Sequence, residues 1–319
     1  LVTGGAGFIG SNLIRMMLSE HEGYEVVNLD VLSYSGNLEN LTGCEGDPRY
    51  SFIKGDVSEP DTAASAIEGC DAVLHLAAES HVDRSITGPR PFVVANTLGT
   101  QTLLEAWRQA QGGEGAPFVY ISTDEVYGSL PLENPEVRFT EDSPIVPSSV
   151  YSASKAAGDH LAHAYHHTYG MDVRITRCSN NFGPYQFPEK VIPLFVTNLM
   201  EGRKVPLYGD GLNVRDWIHV DDHARGILAT LERGKAGEVY NLGSDNERSN
   251  LELTHMILDI MGTGKDMIEH VEDRLGHDRR YAIDSSKAQR ELGWQAERSA
   301  WPDGLEKTVQ WYRDNEEWW

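Results

Sequence analysis

Two side chains that could move a proton stand four residues apart in the segment YSASK, namely Tyr151 and Lys155. In a helix this spacing puts both side chains on one face, one turn apart. A neighbouring ammonium group stabilises a phenolate, so Lys155 is expected to lower the pKa of Tyr151 toward neutrality, where it could accept a proton from a substrate hydroxyl. Tyr-x-x-x-Lys also occurs by chance as a surface pair, so its interpretation depends on its surroundings.

Three more reactive side chains, Thr123, Asp124 and Glu125, stand where the apolar run FVYIST ends. Ligands of parallel α/β sheets bind at the carboxyl ends of strands. Thr123 could hydrogen-bond the same hydroxyl that Tyr151 deprotonates. Two adjacent carboxyl groups repel, so one can stay protonated as an acid while the other acts as a base, as an elimination of water requires. The alternative is that both are ordinary loop acids of an acidic protein.

A glycine-rich turn near the start of the chain, TGGAGFIG, is typical of dinucleotide binding. The spacing can be interpreted in two ways, because the three glycines of the motif could be Gly4, Gly7 and Gly10 or Gly5, Gly7 and Gly10. Such glycines let the backbone approach a pyrophosphate, whose charge the following helix N-terminus can hold. Asp30 follows Gly10 by 20 residues, at the end of the second apolar run. Its carboxylate could accept both ribose hydroxyls and would repel a 2′-phosphate, which favours NAD over NADP.

The next two apolar runs end in residues that would face the same crevice. Asp56 fits a hydrogen bond to adenine, and Ala77 and Ala78 leave room for the cofactor.

The elements that must position these residues are short β-rich runs alternating with helical stretches through the first half of the chain. The β-rich runs are apolar nearly throughout, which indicates a parallel sheet covered on both faces. This predicts a doubly wound α/β Rossmann fold. We expect a NAD-binding domain over residues 1–178 and a smaller substrate-binding domain over 179–319. A return of residues 215–243 to the first domain stays open.

Composition limits the possible partners of the protein. The 319 residues carry a net charge of −22, which opposes binding to nucleic acid or anionic lipid. The charge fits either a salt-adapted source or an ordinary acidic cytosolic enzyme. No apolar run is long enough to span a membrane and no signal pattern is visible, so a cytoplasmic location is expected.

Metal binding is not expected. The three cysteines are widely spaced. His219 and His223 resemble a metal pair, but His219 is expected to end a strand and Asp221 to cap the next helix.

Beyond these motifs, almost the whole chain resembles the dTDP-glucose 4,6-dehydratases, a family of extended short-chain dehydrogenase/reductases. The resemblance lies in TGGAGFIGSN, AAESHVDRSI, STDEVYG, YSASKA, SNNFGPYQFPEK, LYGDG, RDWIHVDDH and DRLGH. Related sugar epimerases typically carry small residues at the positions of Asp124 and Glu125.

The resemblance implies a role for each matching residue. Asp124 would protonate the departing C6 hydroxyl, and Glu125 would remove the C5 proton. Thr123, Tyr151 and Lys155 complete the catalytic set. The expected cofactor-binding residues are Gly4, Gly7, Phe8, Ile9, Gly10, Asp30, Ser33, Asp56, Val57, Leu76, Ala77, Ala78, Ser80, Tyr151, Lys155 and Asn181. The expected substrate-binding residues are Ser80, Thr123, Asn180, Glu189, Lys190, Arg215, Asn250, Arg274 and His277.

The implied reaction converts dTDP-glucose into a 4-keto-6-deoxy sugar nucleotide, with NAD reduced and then regenerated. A homodimer is expected from the resemblance alone. Two alternatives are a nucleotide-sugar 4-epimerase, which needs no acid and base for elimination, and a non-catalytic NAD-sensing protein. The latter would have no reason to keep Tyr151, Lys155 and both acids together.

Overall fold

The computed structural model describes residues 1–111 and 116–319. The strands are β1 (Val2–Thr3), β2 (Val26–Asp30), β3 (Tyr50–Lys54), β4 (Val73–His75), β5 (Phe118–Thr123), β6 (Val173–Cys178), β7 (Asn180–Phe182), β8 (Val205–Tyr208), β9 (Val214–His219), β10 (Val239–Leu242), β11 (Glu247–Ser249) and β12 (Ile268–Val271). The α-helices are α1 (Phe8–Glu20), α2 (Pro60–Ile67), α3 (Val82–Thr87), α4 (Arg90–Phe92), α5 (Gly99–Gln111), α6 (Val150–Tyr169), α7 (Val191–Met200), α8 (Val220–Arg233), α9 (Asn250–Met261), α10 (Ser286–Leu292) and α11 (Asp303–Asp314). A π-helical segment, Val93–Leu98, joins α4 to α5. None of the described helices combines the length and the apolar character that crossing a membrane requires.

The main sheet is parallel throughout, with seven strands among the described residues in the order β10-β6-β5-β4-β1-β2-β3. The chain winds outward from β1 in both directions, which confirms the predicted doubly wound Rossmann fold. This topology brings the carboxyl ends of β1 to β6 to one edge of the sheet, where a crevice forms at the point of reversal beside β1.

The interior strand β5 shows why its sequence is apolar at its first four positions. Phe118 and Tyr120 pack into a core that α2, α5 and α6 cover. Val119 and Ile121 point the other way, into a core that α1 and α8 cover. Successive side chains of a strand point to opposite faces, so a strand buried on both faces carries no polar alternation.

The second half of the chain contributes to the main sheet as well as to a separate lobe. Strand β10 pairs with β6, and α8 packs against α1 on one face of the sheet. The strands β7, β9 and β11 form a second sheet, and β8 pairs with β12. The domain boundary after Cys178 stays a prediction.

Local capping fixes the start of α6, which carries the proton-transfer pair. The Ser149 hydroxyl accepts a hydrogen bond from the backbone N–H of Ser152, and the Ser152 hydroxyl accepts one from the Ser149 N–H, both at 3.0 Å. This reciprocal arrangement satisfies two helix-end donors. It places Tyr151 in the first turn and Lys155 one turn later, on the face toward β5.

The expectation that Asp221 caps α8 is wrong. The N-cap is His219, whose Nδ1 accepts from the backbone N–H of Asp221 at 3.2 Å, because the helix begins directly after the strand at Val220. The part of the chain that the structure describes contains no group of three or more His, Cys, Asp or Glu side chains that could hold a metal ion.

The tryptophans at the end of the described chain join the second lobe to the glycine-rich turn. The Trp318 indole N–H donates to Asn40 Oδ1 at 2.8 Å. The side-chain amide of Asn40 donates in turn to the carbonyl of Ala6 at 2.9 Å. This chain of hydrogen bonds connects the last segment with the turn between β1 and α1.

Candidate active site

The crevice at the carboxyl edge of the sheet holds a cavity of about 510 Å³. Its walls come from the turn after β1, the loops after β2 to β5, the start of α6 and the segment that follows β6. All the predicted catalytic and cofactor-binding residues line it, together with the predicted substrate-binding residues Ser80, Thr123, Asn180, Glu189 and Lys190. The lining does not include the other predicted substrate-binding residues, Arg215, Asn250, Arg274 and His277.

The glycine turn distinguishes between the two possible spacings. Gly4, Gly7 and Gly10 line the cavity, whereas Gly5 packs inward, where a Cβ would lie 2.2 Å from the Asn28 side chain. Gly4 has φ +71°, and a Cβ on Gly10 would lie 2.3 Å from the Gly4 carbonyl oxygen. The turn can therefore close tightly only with glycine at both positions.

Asp30 is positioned to read the hydroxyls of a ribose. Its Oδ2 accepts from the backbone N–H of Ala6 at 2.9 Å and its Oδ1 from that of Leu32 at 2.8 Å. These bonds fix the carboxylate against the glycine turn while it still lines the cavity. Burial raises the pKa of Asp30 and the two backbone hydrogen bonds lower it. Acceptor oxygens beside a helix N-terminus fit a dinucleotide whose ribose has a free 2′-hydroxyl.

Several polar atoms of the cavity wall lack partners in the part of the protein that the structure describes. They include Ser122 Oγ, Asp124 Oδ2, Asn180 Oδ1 and Gln186 Oε1. Buried polar groups are almost always hydrogen-bonded, so these atoms are available to a bound ligand.

Tyr151 and Lys155 both line the cavity, but their electrostatics differ from the expectation. Burial and the charge of Glu125 raise the pKa of Tyr151 well above its ordinary value, although a hydrogen bond with Thr123 lowers it. Burial lowers the pKa of Lys155 to about 8, against an opposing effect of Asp159. The Lys155 ammonium donates to the carbonyl of Ile121 at 2.6 Å. The expected lowering of the Tyr151 pKa is therefore absent, because desolvation and the nearby Glu125 raise this pKa.

The two acids after β5 sit in different electrostatic surroundings. Asp124 is only 1% exposed, and burial together with Glu125 and Asp216 raises its pKa well above the ordinary value. Burial also raises the pKa of Glu125, but Arg274, Arg215 and Lys190 all lower it, in that order. Burial thus favours the protonated form of both acids, and at Glu125 three cations oppose this effect. The assignment of Asp124 as the acid and Glu125 as the base stays a prediction.

Two arginines, Arg215 and Arg274, act on Glu125 in addition to Lys190. Arg215 lies over the Tyr281 ring at 4.2 Å, and its Nη2 donates to the Asp278 carbonyl at 2.9 Å. Arg274 pairs with Asp83 at 3.9 Å, and its Nε is buried without a partner among the described residues. Both arginines act on the charge of Glu125 from outside the cavity wall.

The last two predicted substrate-binding residues, His277 and Asn250, also lie outside the cavity lining. His277 contacts Asp273 Oδ1 at 2.6 Å, and burial followed by the Arg274 charge lowers its pKa to about 4. Asn250 begins α9, where its backbone N–H donates to the Asn213 carbonyl at 2.9 Å.

Comparison with known proteins agrees with this geometry. A family model described as GDP-mannose 4,6 dehydratase matches residues 1–307. The chain belongs to this family. It is 51% identical to a dTDP-glucose 4,6-dehydratase of Streptomyces niveus, over 100% of this chain and 94% of that protein.

Solved structures of relatives also superpose on this protein over nearly the whole length of both chains. The crystal structure of DesIV, a dTDP-glucose 4,6-dehydratase of Streptomyces venezuelae with NAD and TYD bound, has a TM-score of 0.95 and 51% identity. It covers 100% of this chain and 98% of its own. A UDP-glucuronic acid 4-epimerase of Bacillus cereus, in complex with UDP-glucuronic acid and NAD, has a TM-score of 0.91 and 30% identity, covering 98% of each chain. The fold is thus shared with epimerases, so the reaction must be argued from the site.

Sequence reasoning missed several cavity residues of this dehydratase-family chain. Cys178 and Ser179 follow the same strand-end rule that identified Thr123 and could have been found by it. Gln186 and Trp217 come from the second lobe. No local sequence pattern there indicates that the chain returns to the crevice.

Proposed function

We propose that the protein is an NAD-dependent dehydratase that converts dTDP-glucose into dTDP-4-keto-6-deoxyglucose and water. The observation that carries the proposal is the pair Asp124 and Glu125 beside Tyr151 in the cavity wall, where carboxyl groups add to the effect of burial on Asp124 and three cations oppose it at Glu125. A 4-epimerase has no use for such a pair. The names of relatives about half identical to the chain support the substrate.

The chain supplies a binding site that fits NAD in its glycine turn, its helix N-terminus and Asp30. When bound, NAD provides the oxidant that accepts hydride from C4 of the sugar and the reductant that returns it to C6. The protein must hold the sugar so that C4 and C6 face the same side of the cavity as Tyr151 and the two acids.

Proton transfers are assigned to the chain's own residues. Tyr151 accepts the C4 hydroxyl proton as the phenolate, a form that burial and Glu125 disfavour and that the hydrogen bond with the Thr123 hydroxyl favours. The Lys155 ammonium lies one helical turn away. The resulting C4 ketone makes the C5 proton acidic. Glu125 removes that proton, and Asp124 gives a proton to the C6 hydroxyl, which leaves as water. When hydride is returned to C6, the protonated Glu125 gives the proton back to C5. The acid is thus the carboxyl group whose pKa is raised well above its ordinary value, and the base is the one at which three cations oppose the effect of burial.

Substrate recognition would rest on the cations around the pair and on the unpartnered atoms of the wall. Arg215 and Arg274 can neutralise a diphosphate in a strongly acidic protein. Asn180 lines the cavity, and its side-chain oxygen has no hydrogen-bond partner among the described residues. A homodimer and a cytoplasmic location remain predictions, the former testable by light scattering on purified protein.

The experiment is incubation of the purified protein with dTDP-, UDP-, CDP- and GDP-hexoses, followed by mass spectrometry. Loss of water from dTDP-glucose in preference to the others supports the proposal. A change of stereochemistry without loss of mass would show an epimerase instead.

A further inference from the structure

Three loops that line the cavity are tied together by a group of side chains that the reaction does not use. Tyr34 lies in the loop after β2, between the cavity residues Ser33 and Ser35. His81 and Arg84 follow β4, directly after the cavity residue Ser80. Glu189 comes from the second lobe. We call Tyr34, His81, Arg84 and Glu189 the clasp.

The carboxylate of Glu189 is the centre of the clasp. The Tyr34 hydroxyl donates to its Oε1 at 2.8 Å, a contact between residues 155 positions apart in the chain. Its Oε2 lies 3.6 Å from His81 Nε2 and 3.7 Å from Arg84 Nε. The Arg84 guanidinium also stacks over the Tyr34 ring, 3.6 Å from its centroid. Each member of the pair Tyr34 and Arg84 therefore touches both Glu189 and the other.

Two further contacts support the same connection. The Lys190 ammonium donates to the Ser80 carbonyl at 2.9 Å, which ties the second lobe to the loop after β4. The Phe187 ring meets the Tyr34 ring edge-on at 5.9 Å.

Burial and the Glu189 hydrogen bond raise the pKa of Tyr34, so the phenol keeps its proton and remains a donor. The side chain of Glu189 is only 15% exposed, so water competes weakly for it.

The clasp joins the loop that follows Asp30, the expected ribose-binding carboxylate, to the loop of the second lobe. A dinucleotide lying along the cavity would be enclosed by these loops, and it could leave only after they separate. We propose that Tyr34, Arg84 and Glu189 hold the cofactor cleft closed and set the rate at which NAD enters and leaves. The inference rests on the proposed function for the identity of the cofactor. It makes Glu189 a positioning residue and not a direct ligand of the sugar.

The test compares two tyrosines that each donate to a glutamate. Tyr34→Phe removes the hydroxyl and keeps the ring under Arg84. The matched control is Tyr24→Phe, because the Tyr24 hydroxyl donates to Glu232 Oε1 at 2.9 Å outside the cavity. Dissociation is measured by chasing isotope-labelled NAD from the purified protein with unlabelled NAD. Association is measured by adding labelled NAD to cofactor-stripped protein.

A clasp that gates the cleft affects both directions of exchange. Tyr34→Phe should speed NAD dissociation about tenfold, the size expected for losing one hydrogen bond to a charged acceptor. It should also speed NAD association, so that Kd changes by a smaller factor than the dissociation rate. Tyr24→Phe should change neither rate. Arg84→Met, which removes the charge and keeps the apolar stem, should act like Tyr34→Phe.

Unchanged rates in both clasp variants would overturn the proposal. Faster dissociation with unaltered association would overturn it as well, because that result describes a lost contact to NAD and not a gate. The exchange rates are measured without substrate, so a protein that dehydrates no nucleotide sugar but shows this gating would refute the proposed function and leave the clasp in place.

Discussion

Replacing Glu125 by Gln keeps the size of the side chain and removes one negative charge from the middle of the site. In the parent protein Arg274, Arg215 and Lys190 favour the ionised carboxylate that must take the C5 proton. An amide cannot take it. Loss of a general base slows a step by about two to four orders of magnitude, or roughly 3–5 kcal/mol on the barrier of the elimination.

The same substitution should leave the oxidation at C4 intact. The charge of Glu125 is one of the causes that raise the pKa of Tyr151. Without that charge the phenol becomes more acidic, so the first proton transfer should be at least as fast as in the parent protein. Glu125→Gln should therefore separate the two halves of the reaction, with oxidation preserved and dehydration lost.

Single-turnover absorbance at the reduced-nicotinamide band, with mass spectrometry of the quenched sugar, measures both halves at once. The expected result is reduced cofactor that persists beside a sugar that has lost no water. Glu238→Gln is a suitable control, since this glutamate pairs with Lys287 outside the cavity and should turn over normally. Normal dehydration by Glu125→Gln would refute the reasoning, and so would failure to reduce NAD while substrate and cofactor still bind.

Three further predictions concern single residues. Tyr151→Phe should lower dehydration by about two to four orders of magnitude with NAD still bound, measured by steady-state turnover and by cofactor content; turnover within tenfold of the parent would exclude Tyr151 as the base. Asp30 should make cofactor-stripped protein bind NAD more tightly than NADP in calorimetry, because a 2′-phosphate would meet a buried carboxylate, and Asp30→Asn should narrow the difference; equal affinities in the parent would refute this role. Burial raises the pKa of Asp124 above its unfolded value, so the folded state binds this proton more tightly, and the residue costs stability as the pH rises above the ordinary carboxyl range. Asp124→Asn should then raise Tm on the order of 1–3 °C near pH 7 and by less near pH 4 in calorimetric scans, and an increase that grows toward low pH would contradict the sign.

Much of the fold was predictable because its sequence patterns are local. The apolar run of strand β5 and the Ser149 cap of α6 each depend on only a few neighbouring residues. The glycine turn and Asp30 are likewise recognisable from the number of residues between them. Periodicity and capping are short-range effects, so the Rossmann half could be inferred from one sequence.

What the sequence left out depends on contacts between distant segments. The lowered pKa of Tyr151 was expected from Lys155 alone, but burial and Glu125 decide the direction, and both are properties of the folded site. The clasp between Tyr34 and Glu189 joins residues 155 positions apart, and no local pattern signals such a contact. The resemblance pointed to Glu189 as a substrate residue, whereas the structure shows both of its carboxylate oxygens already in contact with protein side chains.

The central claim is that one site oxidises C4, eliminates water and reduces C6 of the same sugar. The direct measurement is incubation of protein, as purified and without added cofactor, with dTDP-glucose deuterated at C4, followed by mass spectrometry and NMR of the product. The account predicts a product that has lost water and carries the deuterium at C6, with no free reduced nicotinamide in solution. Deuterium retained at C4 of a product that has lost no water, or appearing in free reduced cofactor in proportion to turnover, would contradict it.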